Sequence, residues 1–113
     1  MTTQEVLMHH LTAFGNNDLE EILKDYTGQS EILTANGPLK GMEAIRGFFV
    51  DFFTAIPKGS DFEMKQLTIT GPVAYIVWTS ESATFKYLMG TDTFFIQDEK
   101  ILFHTVAGYR IEN

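Results

Sequence analysis

Val6, Leu7, His10, Leu11 and Phe14 recur at the spacing of one helical face, and Thr2 followed by Glu5 places a capping box in front of them. The pattern predicts a first helix ending near Gly15. Asn17 and Glu20 repeat the capping logic for DLEEILKDY, whose Leu19, Ile22, Leu23 and Tyr26 make a second stripe, so two helices form a hairpin with a very short joint. Ser30 to Ala35 reads as a brief strand stopped by the turn formers Asn36, Gly37 and Pro38. From Met42 the positions Ile45, Phe48, Phe49, Phe52, Phe53 and Ile56 keep a helical period until Pro57 halts it. Beyond the loop PKGSD lie runs of β-formers at Phe62–Thr70, Val73–Ser80 and Ala83–Ile96, with a turn at Gly71 and Pro72, and a last run at Ile101–Tyr109. Helices first and antiparallel strands afterwards predict an α+β fold, with three helices covering one face of a curved sheet.

Asp92 and His104 interrupt the last two apolar runs, and the turn between those runs decides whether they meet, because side chains alternate faces along a strand. A three-residue loop, Gln97 to Glu99, pairs Ile96 with Lys100 and sets Asp92 opposite His104 on one face. A two-residue loop, Asp98 and Glu99, pairs Asp92 with Thr105 and sends His104 to the other side. Hairpin loops of three residues favour Gly at their last position, where Glu99 stands. With the longer loop, Phe94, Leu102 and Val106 share the inner face with the acid and the base, and Phe95, Ile101 and Phe103 face outward. Both faces are then apolar. Helices can cover only one, which leads to the expectation of a homodimer built through the other.

Composition narrows the partners. A chain of 113 residues without repeat or linker is sized for a single domain, 1–113. Ten Phe, four Tyr and one Trp exceed what a minimal core needs, which suggests a lined cavity or a subunit interface. A net charge of -7 repels phosphate backbones and argues against nucleic acid as a partner. No cysteine removes disulfides, thiolate nucleophiles and thiolate metal sites, and no stretch approaches a membrane span or a secretory leader, so a cytoplasmic location without membrane attachment is expected. His9 and His10 leave a helix in different directions and lack the i, i+4 spacing of a helical metal pair, so no metal and no cofactor are expected.

The order of elements, together with NDLEEILKDYTGQSEI, LKGMEAIRGFF and TDTFFIQDEKILFH, resembles the NTF2-like superfamily and its SnoaL-like branch over nearly the whole chain. The resemblance implies a cone of three helices on a strongly bent sheet around one apolar pocket, usually in a dimer built through the sheet. In the ketosteroid isomerases of that superfamily a tyrosine and a protonated aspartic acid hold the oxyanion while a second aspartate moves the proton. By position, Asp92 matches the oxyanion-side acid and His10 falls where the tyrosine would sit. Thr34 replaces the proton-moving aspartate, which disfavours steroid isomerisation by that route. His104 matches the histidine that SnoaL-like sequences carry in GKIxxH, with Glu99 in place of the Gly.

These readings make Asp92 and His104 the candidate general acid and base for a small apolar carbonyl or polyketide-like compound, in an isomerase- or cyclase-type reaction. His10, Phe14, Phe52, Trp78, Phe94 and Val106 are the expected ligand-binding lining. The bland counterpart is a hydrogen-bonded pair that orders the core of a non-catalytic NTF2-like binding or dimerisation module.

Overall fold

The structure, a computed structural model, describes residues 1–113. Helix α1 (Thr3–Gly15) starts with the expected capping box: the Thr2 side chain accepts from the Glu5 amide at 3.1 Å and the Glu5 carboxylate accepts from the Thr2 amide at 2.8 Å. It buries Val6, Leu7, His10 and Ala13. The second helix, α2 (Leu19–Leu23), is capped by Asp18, not by Asn17. Asn17 instead adopts the left-handed conformation, φ 51°. Its side chain donates to the carbonyls of Phe14 and Ile56 and accepts from the Lys58 amide, tying the α1–α2 joint to the end of the third helix. That third helix, α3 (Gly41–Ala55), buries Ile45, Phe49 and Ala55. No helix is long and apolar enough to cross a membrane.

The helices lie on a six-stranded sheet built from β1 (Glu31–Thr34), β2 (Gly37–Lys40), β3 (Asp61–Thr70), β4 (Val73–Glu81), β5 (Phe85–Gln97) and β6 (Lys100–Glu112), in the order β2-β1-β6-β5-β4-β3. Gly37 and Pro38 do not simply stop the first strand: they begin β2. Pro38 is tolerated because β2 is an edge strand, where a missing amide donor leaves no ladder bond unmade. One pairing, β1 with β6, is parallel; the rest are antiparallel. Extra residues at Lys65 in β3, Leu88 in β5 and Leu102 in β6 interrupt the ladders and bend the sheet around the helices.

The last hairpin departs from the expected loop. Gln97 pairs with Lys100, so the turn is the two-residue one, Asp98 and Glu99, both left-handed with φ 53° and 64°. Two consecutive residues of that hand form the turn whose twist matches the flanking strands. Ile96 then pairs with Ile101 but Phe95 with Phe103, leaving Leu102 as a bulge. The bulge reverses the parity again, so Phe94 stands opposite His104, and Asp92 shares their face. The expected facing of Ile101 and Leu102 is therefore exchanged: Ile101 lies in the core, while Leu102 is only half-buried. Phe95 and Phe103 point away from the core as expected, and Phe103 is 40% exposed.

Candidate functional site

The restored parity brings Asp92 and His104 into contact beneath the helices. His104 Nε2 lies 2.6 Å from Asp92 Oδ2, and the Trp78 Nε1–H donates to Asp92 Oδ1 at 2.7 Å. On the far side of the imidazole, the Tyr26 hydroxyl lies 2.9 Å from His104 Nδ1. A carboxylate accepts only and an indole donates only, so a single assignment closes this chain with a neutral imidazole: Tyr26 O–H donates to Nδ1, and Nε2–H and the indole both donate to Asp92. Every polar atom of the carboxylate and the ring is then engaged. The pair is almost wholly buried, at 5% exposure for Asp92 and 1% for His104. Such a chain removes the penalty that either group would carry alone in an apolar interior.

Neighbouring backbone makes this contact geometrically possible. Trp78 on β4 stands opposite Gly90 on β5, and a Cβ at Gly90 would meet the indole at 2.2 Å. The absence of a side chain there lets the indole lie across β5 and reach Asp92, two residues along. Phe94 stacks on His104 at a centroid distance of 4.3 Å, and His10 meets the Phe94, Phe49 and His104 rings edge-on. His10 is 3% exposed and its Nδ1 has no hydrogen-bond partner. Burial, followed by the proximity of His104 and His9, pushes its pKa well below the usual histidine value, so it stays neutral. Burial first, and the charge of Asp92 second, holds the Tyr26 hydroxyl well above the usual tyrosine value.

Two spaces flank this chain. The first is a hollow of about 20 Å³ bordered by His10, Phe14, Phe52, Trp78, Asp92 and His104, among others. It has the size of a single water site. The second is a cleft of about 610 Å³ between α3 and the inner face of the sheet, bordered on one side by the β1–β2 hairpin. Phe48, Phe52, Trp78, Tyr87 and Val106 form its apolar walls, and Asp51 and Arg110 are its charged residues. Phe52 and Trp78 border both spaces and so stand between them.

The expected lining is thus divided. His10 and Phe14 border the small hollow, Val106 borders the cleft, and Phe52 and Trp78 border both. Phe94 borders neither and is packed solid against His104. Asp92 and His104 meet as expected, but they open on the hollow and not on the cleft. Thr34 borders the cleft and spends its hydroxyl on the Gly37 carbonyl.

Three contributors were not singled out from the sequence as site residues. Tyr26 reads there as one member of a helical stripe, and its hydroxyl partner is 78 residues away. Gly90 carries a legible signal, an isolated glycine inside a strand pattern, which marks a close approach of another group. Arg110 lies just past the last apolar run. His9 behaves as the sequence implies, leaving α1 away from His10 to meet Asp25 at 2.8 Å and Glu21 at 2.8 Å.

The SnoaL-like domain family matches residues 7–104. The chain belongs to that family. No curated protein matches it by sequence. Among solved structures, the epoxide hydrolase/cyclase-like enzyme SalBIII of pyran-ring formation in salinomycin is similar at a TM-score of 0.80 and 18% identity, covering 95% of this chain and 90% of its own. A SnoaL-like protein of unknown function from Burkholderia thailandensis is similar at 0.74 and 16% identity, covering 95% and 93%. An NTF2-like protein of unknown function from Cytophaga hutchinsonii is similar at 0.77 and 9% identity, covering 96% and 91%. At these identities the likeness shows the fold: the α+β cone of the NTF2-like superfamily.

Proposed function

We propose that this SnoaL-like protein binds a small, largely apolar molecule in the cleft between α3 and the sheet. The cleft itself carries the reading: at about 610 Å³ it falls within the ~300–1,000 Å³ of small-molecule sites, with aromatic walls and few polar groups. The test uses N-phenyl-1-naphthylamine, a neutral reporter that brightens in apolar surroundings. The native protein is expected to bind it, and Val106→Trp, which narrows the cleft at its apolar wall, to weaken binding at least about tenfold, a loss of about 1.4 kcal/mol, with an unchanged melting temperature. Equal binding by both proteins would place the reporter elsewhere and sink the reading.

A second reading adds acid–base catalysis by Asp92 and His104, and one observation favours it. The hollow those residues border is separated from the cleft by Phe52 and Trp78, so displacement of the Phe52 ring would open one to the other. The pyran-forming role named for SalBIII is the kind of proton-transfer chemistry such a pair could perform. Loss of deuterium from the α-carbon of 2-tetralone measures it: the native protein should accelerate exchange and Asp92→Asn should not. Binding without acceleration leaves the non-catalytic module. The same proposal includes a homodimer through the outer sheet face, where Tyr75, Met89, Phe103 and Tyr109 are exposed. Sedimentation of native protein as a dimer and of Phe103→Glu as a monomer would support it, and a native monomer would remove it.

A further inference from the structure

Arg110 occupies an unusual position for a cation in this acidic chain. On β6 the residues His104, Val106, Gly108 and Arg110 alternate without interruption, so Arg110 shares the inner face and reaches the cleft. The Leu88 bulge on β5 turns Tyr87 and Phe85 to the same face, beside it. The guanidinium carbon lies 3.9 Å from the centre of the Phe85 ring, and Nη1 donates to the Tyr87 hydroxyl at 3.0 Å. Of the seven other cationic side chains, Lys24, Lys40, Arg46 and Lys65 pair with carboxylates and Lys58, Lys86 and Lys100 do not, but none of those three lines the cleft. Arg110 has no carboxylate within ion-pair distance. Two aromatic residues hold its fork in place, and four of its five N–H donors remain uncommitted to protein side chains.

We propose that Arg110 is the anion-recognising residue of the cleft, and that the ligand is a monocarboxylate with an apolar body. The proposal rests on the cleft being the binding site, as argued above, and names the class of molecule that site takes. The planar fork suits a carboxylate, which it can meet through two parallel N–H donors. A fork already held by stacking and by Tyr87 loses less freedom on binding than a mobile one does. The apolar body lies along Phe48, Phe52, Trp78 and Val106. Asp51, the other charged residue of the cleft, is an exposed carboxylate on α3 and disfavours a second negative charge on the ligand.

Matched pairs of a carboxylic acid and its primary amide, on naphthalene, biphenyl and decane bodies, test this by calorimetric titration at low and high salt. The native protein is expected to prefer at least one acid over its amide by about tenfold or more, and the preference should shrink as salt rises. Arg110→Met should abolish the preference and leave amide binding in place, whereas Arg110→Lys should keep a part of it. Tyr87→Phe, which frees the fork without removing charge, should reduce the preference and leave the amide unaffected. Acid and amide binding equally well to the native protein would overturn the role of Arg110 but leave the cleft as a site. No binding of any pair would overturn both, and a preference that survives Arg110→Met would assign anion recognition to another group.

Discussion

Asp92 and Arg110 project from adjacent strands onto the same inner face, yet their surroundings are opposite. Asp92 is buried, and Trp78 and His104 occupy both of its oxygens. Arg110 is exposed, stacks on a ring and lacks an acidic partner. The difference follows from what the helices cover. Beneath α1 and α3 an unpaired charge would be costly, so the buried end of the sheet carries a closed hydrogen-bond chain. At the cleft solvent screens charge, and a cation without an acidic partner costs little there. The satisfied polar groups around Asp92 mark where this fold is held together, whereas the fork of Arg110 is held in place by two aromatic side chains.

The comparison breaks most visibly at its buried end. Asp92→Ala leaves the Trp78 and His104 donors unsatisfied beside the hollow and is expected to cost about 2–5 kcal/mol in urea unfolding, at about 1–3 kcal/mol for each stranded donor; a loss under about 1 kcal/mol would show that the chain does not hold the core. Gly90→Ala forces the Trp78 ring away from β5 and off Asp92, at about 2–3 kcal/mol, with a red shift in tryptophan fluorescence. Unshifted fluorescence would mean that the indole does not need that gap. His10→Phe sharpens the contrast within the core, since it removes a buried nitrogen without a partner and keeps the edge-on ring contacts. A gain of about 1 kcal/mol is expected, and a loss of that size would show that the nitrogen is engaged.

The smallest effect concerns His9. Both of its ring nitrogens face carboxylate oxygens, and only the imidazolium can donate from both. Its hydrogen bonds to Glu21 and Asp25 raise its pKa on folding. A raised folded value means that the stabilisation is complete below the unfolded pKa of about 6.5 and fades as pH climbs through the folded value. The native protein should therefore exceed His9→Gln in stability by under about 1 kcal/mol at pH 5.5, with the gap narrowing above neutrality. A gap that widens with pH would reverse the assignment.

The architecture was legible because its signals are local and periodic. The Thr2–Glu5 box, the Met42–Ile56 stripe and the Pro57 stop each act within a few residues and fall where the elements lie. The Asn17 cap was misplaced by one residue, because Asn17 and Asp18 are equally good caps and a contact with distant Ile56 and Lys58 decides between them. Meeting of Asp92 and His104 was also legible, although through the wrong loop. Nothing local announces a bulge at Leu102. The division between hollow and cleft was not readable, since it depends on where the Phe52 and Trp78 rings come to rest in a cone assembled from distant strands.

The Leu102 bulge has a consequence for how this hairpin can vary. A two-membered turn alone would put the imidazole out of phase with the carboxyl, and one surplus residue cancels that phase error. The turn and the bulge are thus one unit of bookkeeping split across two places. Lengthening the turn by a residue while deleting Leu102 preserves the spacing from Asp92 to His104, and relatives could exchange one solution for the other without the two side chains ever losing sight of each other.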